Sequence, residues 1–220
     1  MYYKGKYYDK DNVMVSFIWP EGSVGLQFWP KERNLPYQLI RKYIHLQPHI
    51  QEMIDDFASQ HFSGPVIGVH IRGEGAKDTG EVWLRTQFRS VDPRPYGAYL
   101  RAIDARLESD DQARLFVCSD SLQVISDLRQ VYGERMITYE ATRSQFGEMH
   151  IPNHPMNAGL SFSPYKLGED VLIEACLLSK TDYFIHGNSN VVNFVLSANP
   201  DLEHDYVYRQ VVSIPPEIGV

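Results

Sequence analysis

Cysteine is nearly absent from this chain, whose 220 residues include only Cys118 and Cys176. Two thiols are too few for a zinc site built from cysteines, so that class of site is excluded. Both thiols lie in apolar runs, RLFVCSD and VLIEACLL. We therefore expect two buried thiols in a reducing compartment, with a disulfide between them as the less simple alternative.

Long apolar runs and an excess of positive charge are also missing. No stretch is long enough to span a bilayer, and the segment MYYKGKYYDKDN lacks the apolar core of a signal peptide. These features predict a soluble protein without a membrane span. The net charge of −7 argues against a broad surface for nucleic acid, so a bound phosphate must meet a few well-placed cations.

Familiar phosphate and metal motifs are absent as well. The chain contains no GxxxxGK[ST] and no GxGxxG, which disfavours a P-loop NTPase and a standard dinucleotide-binding fold. It has no DxD motif placed to hold a metal ion. The sequence therefore predicts no metal site.

What the chain does have is an ordinary globular composition, with 43% hydrophobic and 22% charged residues. Residues 1–35 are irregular and rich in Tyr, Gly, Trp and Pro, with one strand predicted at 14–19. From residue 36 onward, helices alternate with short apolar strands, without internal repeats. This alternation predicts an α/β fold with a mostly parallel sheet covered by helices on both faces.

The apolar runs and helical spacings predict the positions of five strands and five helices after residue 36. Strands are expected at 65–72, 114–119, 136–140, 182–186 and 206–212. Helices are expected at 96–107, 167–179 and 190–198, from Pro48 with Ile50, Met53, Ile54 and Phe57 on one side, and from Ser121 with Leu122, Ile125 and Leu128 on one side. Residues 141–164 form a polar loop that is too long to be a mere connector.

Ligands of such sheets bind at the carboxyl ends of the strands, which nominates the loops 72–81, 119–121 and 187–190. In the first loop, HIRGEGAKDTGE, Arg72 directly follows an apolar strand. An arginine there suits bidentate binding of phosphate oxygens. An ion pair with a helix carboxylate is an equally good interpretation of the motif alone.

The third loop, FIHGNSNVVNFV, has the pattern of a helix start. Gly187 permits a sharp turn, and Asn188 or Ser189 can cap a helix that begins near Asn190. Taken alone, the pattern favours a plain N-cap. With Arg72 on a neighbouring strand end, it favours an anion site at the helix N-terminus.

Two carboxylates stand out near these loops. Glu174 lies in VLIEACLLS, which is apolar on nearly every side, so its charge must be paired or hydrogen-bonded. The two adjacent N–H donors of a guanine edge match a carboxylate well, while a structural Arg or His is the alternative partner. Asp120, in CSDS, has a similar strand-end position, with capping of the next helix as its alternative role.

Several segments, in order, resemble one family. PVIGVHIRG, preceded by QLIRKYIHLQPHIQEMIDDF and followed by KDTGE, is similar to the α1,6-fucosyltransferases, which act on N-glycan cores or on rhizobial Nod factors. VCSDS, EDVLIEACLLSKTDYFIHGNSNVVNFV and DYVYRQ continue the same order. The resemblance covers roughly residues 38–208, the C-terminal half of the family.

The resemblance implies a Rossmann-like, nucleotide-sugar-binding domain at 36–220 after an irregular segment at 1–35, as in the C-terminal half of a GT-B glycosyltransferase. It implies transfer of fucose from GDP-fucose to a glycan hydroxyl, with inversion and without a metal or other cofactor. By matching position it assigns Arg72 to the β-phosphate with help from Ser189, flanked by Asn188 and Asn190. His70 and Glu174 would recognise guanosine, Asp120 would line that site, and Glu81 would be the base, supported by Lys77.

The chain departs from the family at four points. Gly73 replaces the second arginine of an HxRR motif, the segment leading to Glu81 is one residue longer, and Glu174 stands in place of an aspartate. Little corresponds to the N-terminal half of the family, so a missing half or partner subunit belongs to the prediction. The alternative is a catalytically inactive GDP- or nucleotide-sugar-binding module, and another GDP-sugar such as GDP-mannose is a third possibility. The expected compartment is the cytoplasm for a bacterial protein, or the Golgi lumen for a piece of a eukaryotic enzyme.

Overall fold

The computed structural model describes residues 33–73, 81–144 and 163–209. Its helices are α1 (Asn34–Tyr43), α2 (Pro48–His61), α3 (Glu81–Phe88), α4 (Gly97–Ser109), α5 (Leu122–Tyr132), α6 (Pro164–Leu178) and α7 (Asn190–Ala198). Its strands are β1 (Val66–His70), β2 (Arg114–Cys118), β3 (Met136–Ile137), β4 (Tyr183–His186) and β5 (His204–Tyr206). None of these helices is long and apolar enough to cross a bilayer.

The strands form one parallel sheet in the order β3-β2-β1-β4-β5. The predicted α/β class is therefore confirmed. β1 is central and buried along its whole length. From β1 the chain builds first toward β3 and then returns to build toward β5, so the order reverses between β1 and β4. In this type of sheet, the crevice outside the carboxyl ends of those two strands is where ligands bind.

Alternate strand residues pack against opposite layers of helices. Val69 and Val117 belong to the core under α3, α4 and α5, whereas Phe116 and Phe184 belong to the core under α2, α6 and α7. At Gly68 an added Cβ would lie 2.7 Å from Oγ1 of Thr181. β1 can therefore lie against the turn after α6 only with glycine at this position.

The predicted elements agree with the structure in several places and differ in others. α2 begins at Pro48 and α7 spans Asn190–Ala198, as predicted. α1 and α3 were not predicted. α1 buries none of its residues, so its sequence carries little core signal. The strand predicted at 14–19 lies outside the described residues.

Three predictions were wrong in detail. β3 has only two residues instead of five, because its pairing with β2 ends at Ile137. β5 lies at His204–Tyr206 instead of 206–212, because its polar, half-buried start conceals the strand from a hydrophobicity pattern. On α5, Leu122 of the predicted apolar side is 48% exposed, whereas Leu128 is buried as predicted, together with Val124.

The two cysteines are free, and they differ in burial. Cys118 is buried as expected, and burial raises the pKa of its thiol. Cys176 is only partly buried, and burial raises its pKa to about 11. Both groups are therefore thiols at neutral pH.

Candidate functional site

A cavity of about 340 Å³ lies at the carboxyl ends of β1, β2 and β4, between α6 and the start of α7. Most of the predicted site residues line it, namely His70, Arg72, Asp120, Glu174, Ser189 and Asn190. Asn188 is not among the lining residues. The cavity occupies the position that the sheet topology predicts for a ligand.

Arg72 and Asp120 form an ion pair at one wall of the cavity. The guanidinium of Arg72 donates to one oxygen of Asp120, and the other oxygen accepts the Gly73 N–H at 2.7 Å. Asp120 does not cap α5, because Ser121 does so by accepting the Val124 N–H. The carboxylate of Asp120 instead fixes the residues that follow β1. The ion-pair partner of Arg72 therefore lies in the loop after β2, and not on a helix as the alternative interpretation had it.

The first turn of α7 forms the second wall. Ser189 has extended backbone dihedrals, and its hydroxyl oxygen accepts the Val191 N–H at 3.1 Å. Ser189 rather than Asn188 is therefore the N-cap. Ser189, Asn190 and Val191 all line the cavity, so the positive end of the helix dipole lies at its edge.

Glu174 is buried at the third wall and is paired with Arg143, a residue that the sequence did not single out. Arg143 Nη2 lies 2.6 Å from Oε1 of Glu174, and the side chain of Arg143 is only 4% exposed. The same guanidinium donates to the carbonyl oxygens of Ser119 and Tyr139, each at 2.8 Å. The structural arginine considered as an alternative partner for Glu174 is therefore present, and Glu174 also faces the cavity.

Asp170 is a second buried carboxylate that the sequence analysis missed. Its Oδ2 accepts the Thr142 N–H at 2.8 Å, and its Oδ1 lies 2.8 Å from Nζ of Lys166. It precedes Glu174 by four residues, so both carboxylates lie on the same face of α6. That spacing in EDVLIEA was the signal that could have revealed it.

Burial controls the charge state of two cavity residues. Burial raises the pKa of Glu174 to about 7, against the opposing effect of Arg143. Burial, reinforced by the charge of Arg72, lowers the pKa of His70 to about 3. His70 is therefore neutral at pH 7, and Glu174 is close to the midpoint of its titration.

The two residues assigned to catalysis on the first loop are less fully described. Lys77 lies outside the described residues, and only the backbone of Glu81 is described, at the start of α3. Arg85, one turn along α3, donates to the carbonyl oxygen of Arg72. This bond ties α3 to the end of β1. In the described part of the chain, His, Cys, Asp and Glu do not form a group of three or more that could hold a metal ion.

No protein-family model and no curated protein sequence matches the chain. Among solved structures, the chain is similar to the NodZ α1,6-fucosyltransferase co-crystallised with GDP, at 22% identity and a TM-score of 0.42, over 73% of this chain and 44% of that one. NodZ from Bradyrhizobium gives 21% identity and a TM-score of 0.40, over 73% and 44% of the two chains. POFUT1 in complex with GDP gives 17% identity and a TM-score of 0.44, over 76% and 48%. The chain spans less than half the length of these structures.

Proposed function

We propose that this chain binds GDP-fucose and is the donor-binding part of a fucosyltransferase-type glycosyltransferase. The observation that carries the proposal is the cavity at the reversal of strand order, where Arg72, the N-terminus of α7 and Glu174 converge. The ordered sequence motifs that resemble the α1,6-fucosyltransferases support it. The reaction would transfer fucose to a glycan hydroxyl with inversion and without a metal.

The diphosphate would bind between Arg72 and the start of α7. Asp120 holds the guanidinium of Arg72 at the cavity wall, so the Arg72 side chain would lose little conformational entropy when an anion binds. The N–H groups and dipole of α7 would bind the same anion from the other side. As the bond between fucose and phosphate breaks, these groups would stabilise the charge that develops on GDP.

The guanine base would bind at the opposite end, beside Glu174 and His70. A carboxylate oxygen accepts more than one hydrogen bond, so the bond from Arg143 to Oε1 is compatible with further donors. Guanine presents N1–H and N2–H side by side, and uracil and adenine do not present this pair. The buried carboxylate would therefore select guanine nucleotides.

Chemistry would require a base for the acceptor hydroxyl. Glu81 is assigned that role, with support from Lys77 four residues before it in the sequence. Glu81→Gln is expected to lower transfer by about 10²–10⁴-fold while GDP affinity stays unchanged. Glu74→Gln and Asp78→Asn are the matched controls, because they change the neighbouring carboxylates in the sequence. Loss of transfer in a control, with full activity in Glu81→Gln, would move the base to that residue.

Calorimetry with GDP, GDP-fucose, GDP-mannose, ADP and UDP tests the proposal. GDP should bind at least about tenfold more tightly than ADP or UDP, because the hydrogen bonds of Glu174 to the base are unmade in the other two. Excess EDTA should leave GDP affinity unchanged. Equal affinities for the three nucleotides would refute the guanine site, and a need for Mn²⁺ would refute the metal-free mechanism.

A catalytically inactive GDP-binding module is the second candidate. Gly73 favours it, because glycine stands where the similar family carries a second arginine next to the nucleotide. Such a module would bind GDP-fucose with guanine selectivity but release no GDP from it in the presence of glycan acceptors. An enzyme would show both properties.

A further inference from the structure

A chain of hydrogen bonds runs behind the cavity wall through three buried or half-buried side chains. Arg33 donates to Nε2 of His204 at 2.7 Å and to the carbonyl oxygen of Pro200 at 3.1 Å. Nδ1 of His204 lies 2.9 Å from Nε2 of His186, and Nδ1 of His186 lies 2.9 Å from the Gly187 carbonyl oxygen. We call Arg33, His204 and His186 the relay.

The two ends of the relay fix the position of every proton in it. The Gly187 carbonyl oxygen can only accept, so His186 carries its proton on Nδ1 and its Nε2 is an acceptor. The Arg33 guanidinium can only donate, so Nε2 of His204 accepts and its proton lies on Nδ1. The Nδ1–H of His204 therefore donates to His186, and all bonds point from Arg33 toward Gly187.

The surroundings keep both rings neutral and in one orientation. Burial lowers the pKa of His204 to about 4 and that of His186 far below its ordinary value. The His186 ring packs against Phe184 and His204, with ring centroids 4.9 and 5.0 Å away. Because both rings are packed and neutral, the relay keeps its direction at neutral pH.

The relay ends at the turn that leads into α7. Gly187 is buried, and its carbonyl oxygen belongs to the peptide that begins the turn to Ser189, the N-cap of α7. We propose that the relay positions the Gly187–Ser189 turn, and with it the anion-binding start of α7, so that His186 and His204 are positioning residues. The phosphate part of this inference rests on the proposed function.

The tautomers can be measured without any ligand. Ring nitrogen shifts in ¹⁵N NMR spectra at pH 7 should show His186 and His204 as Nδ1–H tautomers, with Nε2 unprotonated in both. A proton on Nε2 of His186 would reverse its bond with His204, and a proton on Nε2 of His204 would break the bond from Arg33; either result would overturn the inference.

Three variants test positioning. His204→Phe keeps a ring but removes both hydrogen bonds, His204→Asn keeps a donor near the Nδ1 position, and His45→Phe changes an exposed histidine as the control. In His204→Phe, the Val191 amide should exchange faster and the GDP dissociation constant should rise about three- to tenfold, as for loss of one hydrogen bond. Guanosine affinity should change less than about twofold, because guanosine lacks the phosphates. His204→Asn should lie between wild type and His204→Phe, and His45→Phe should match wild type.

The outcomes separate the inference from the proposed function. If wild type binds no GDP, the proposed function fails, and Val191 exchange alone decides whether the relay positions the turn. Unchanged Val191 exchange in folded His204→Phe would overturn the inference. Equal weakening of GDP and guanosine binding would also overturn it, because a general loss of structure has no preference for phosphate.

Discussion

At the scale of single residues, the cavity is built from side chains that already have partners. Asp120 holds Arg72, and Arg143 holds Glu174. Such pairs serve a structural purpose and also fix functional groups where a ligand can use them. The residue-level predictions therefore concern affinity for the nucleotide.

Arg72→Ala removes the cation at the diphosphate end. GDP binding is expected to weaken by about 1.5–3 kcal/mol, the range for hydrogen bonds to charged groups, as measured by calorimetry. Arg135→Ala is the control, because Arg135 is exposed at the amino end of β3, at the opposite edge of the sheet. Unchanged GDP affinity in Arg72→Ala would place the phosphates elsewhere.

Glu174 should make donor binding depend on pH. Only the ionised carboxylate accepts both guanine N–H groups, and its pKa of about 7 leaves about one tenth ionised at pH 6 and about nine tenths at pH 8. The GDP-fucose dissociation constant should therefore be about tenfold larger at pH 6 than at pH 8. GDP-fucose is the right probe because its doubly esterified diphosphate does not titrate in this range. Glu174→Gln should bind weakly at both pH values, and a tenfold pH effect that persists in this variant would assign it to another group.

At the scale of elements, Arg143 is a clamp between the ends of β2 and β3 and helix α6. It donates to carbonyl oxygens after both strands and to a carboxylate of the helix. The folded pKa of Glu174 lies above its ordinary value, so this carboxyl weakens the fold as pH rises through about 7. The clamp therefore matters most when Glu174 is ionised.

Arg143→Met should destabilise the protein by up to about 3–5 kcal/mol at pH 8, the cost of leaving a buried charge without its partner. The loss should be smaller at pH 6, where Glu174 takes up a proton. Urea unfolding at the two pH values measures both. The double variant Arg143→Met/Glu174→Leu should recover most of the stability, and Arg129→Met, at an exposed arginine of α5, should stay within about 0.5 kcal/mol of wild type. Equal losses at both pH values in Arg143→Met would show that packing, not charge, dominates.

At the scale of the whole molecule, buried histidines couple folding to pH. His70, His186 and His204 all have pKa values lowered by burial, to about 3 for His70 and about 4 for His204. Their unfolded forms take up protons below about pH 6.5, so their contribution is complete above that pH and is lost as pH falls toward the folded values. The raised pKa of Glu174 has the opposite effect, because its proton uptake stabilises the fold as pH falls. Since Glu174 is one group and the histidines are three, the histidines are expected to dominate.

The free energy of unfolding should therefore decrease between pH 6.5 and pH 5, as measured by urea denaturation. His204→Phe, which carries one titratable ring fewer, should show a shallower decrease. His45→Phe should keep the wild-type slope, because His45 is exposed. If the free energy of unfolding instead rises steadily as pH falls from 6.5 to 5, Glu174 and not the histidines controls the pH response.

Much of the fold followed from local pattern. Apolar β-branched runs located four of the five strands, Pro48 marked the start of α2, and the GNSN turn marked the start of α7. The strand-end rule predicted that Arg72, Asp120 and Ser189 lie at one edge of the sheet, and the family resemblance added His70; all four line the cavity. These elements could be predicted because periodicity and turn chemistry are local properties of the sequence. The shared position of the site residues could be predicted because the carboxyl ends of parallel strands meet at one edge of the sheet.

The partners of the charged groups were decided only by the tertiary structure. Arg72 and Asp120 are 48 positions apart, Arg143 and Glu174 are 31 apart, and Arg33 and His204 are 171 apart. Hydrophobic pattern gives no signal for such pairs, because a buried carboxylate requires some cation but does not specify which one. The folded chain makes that choice, when the sheet and its connecting loops bring one cation within hydrogen-bonding distance.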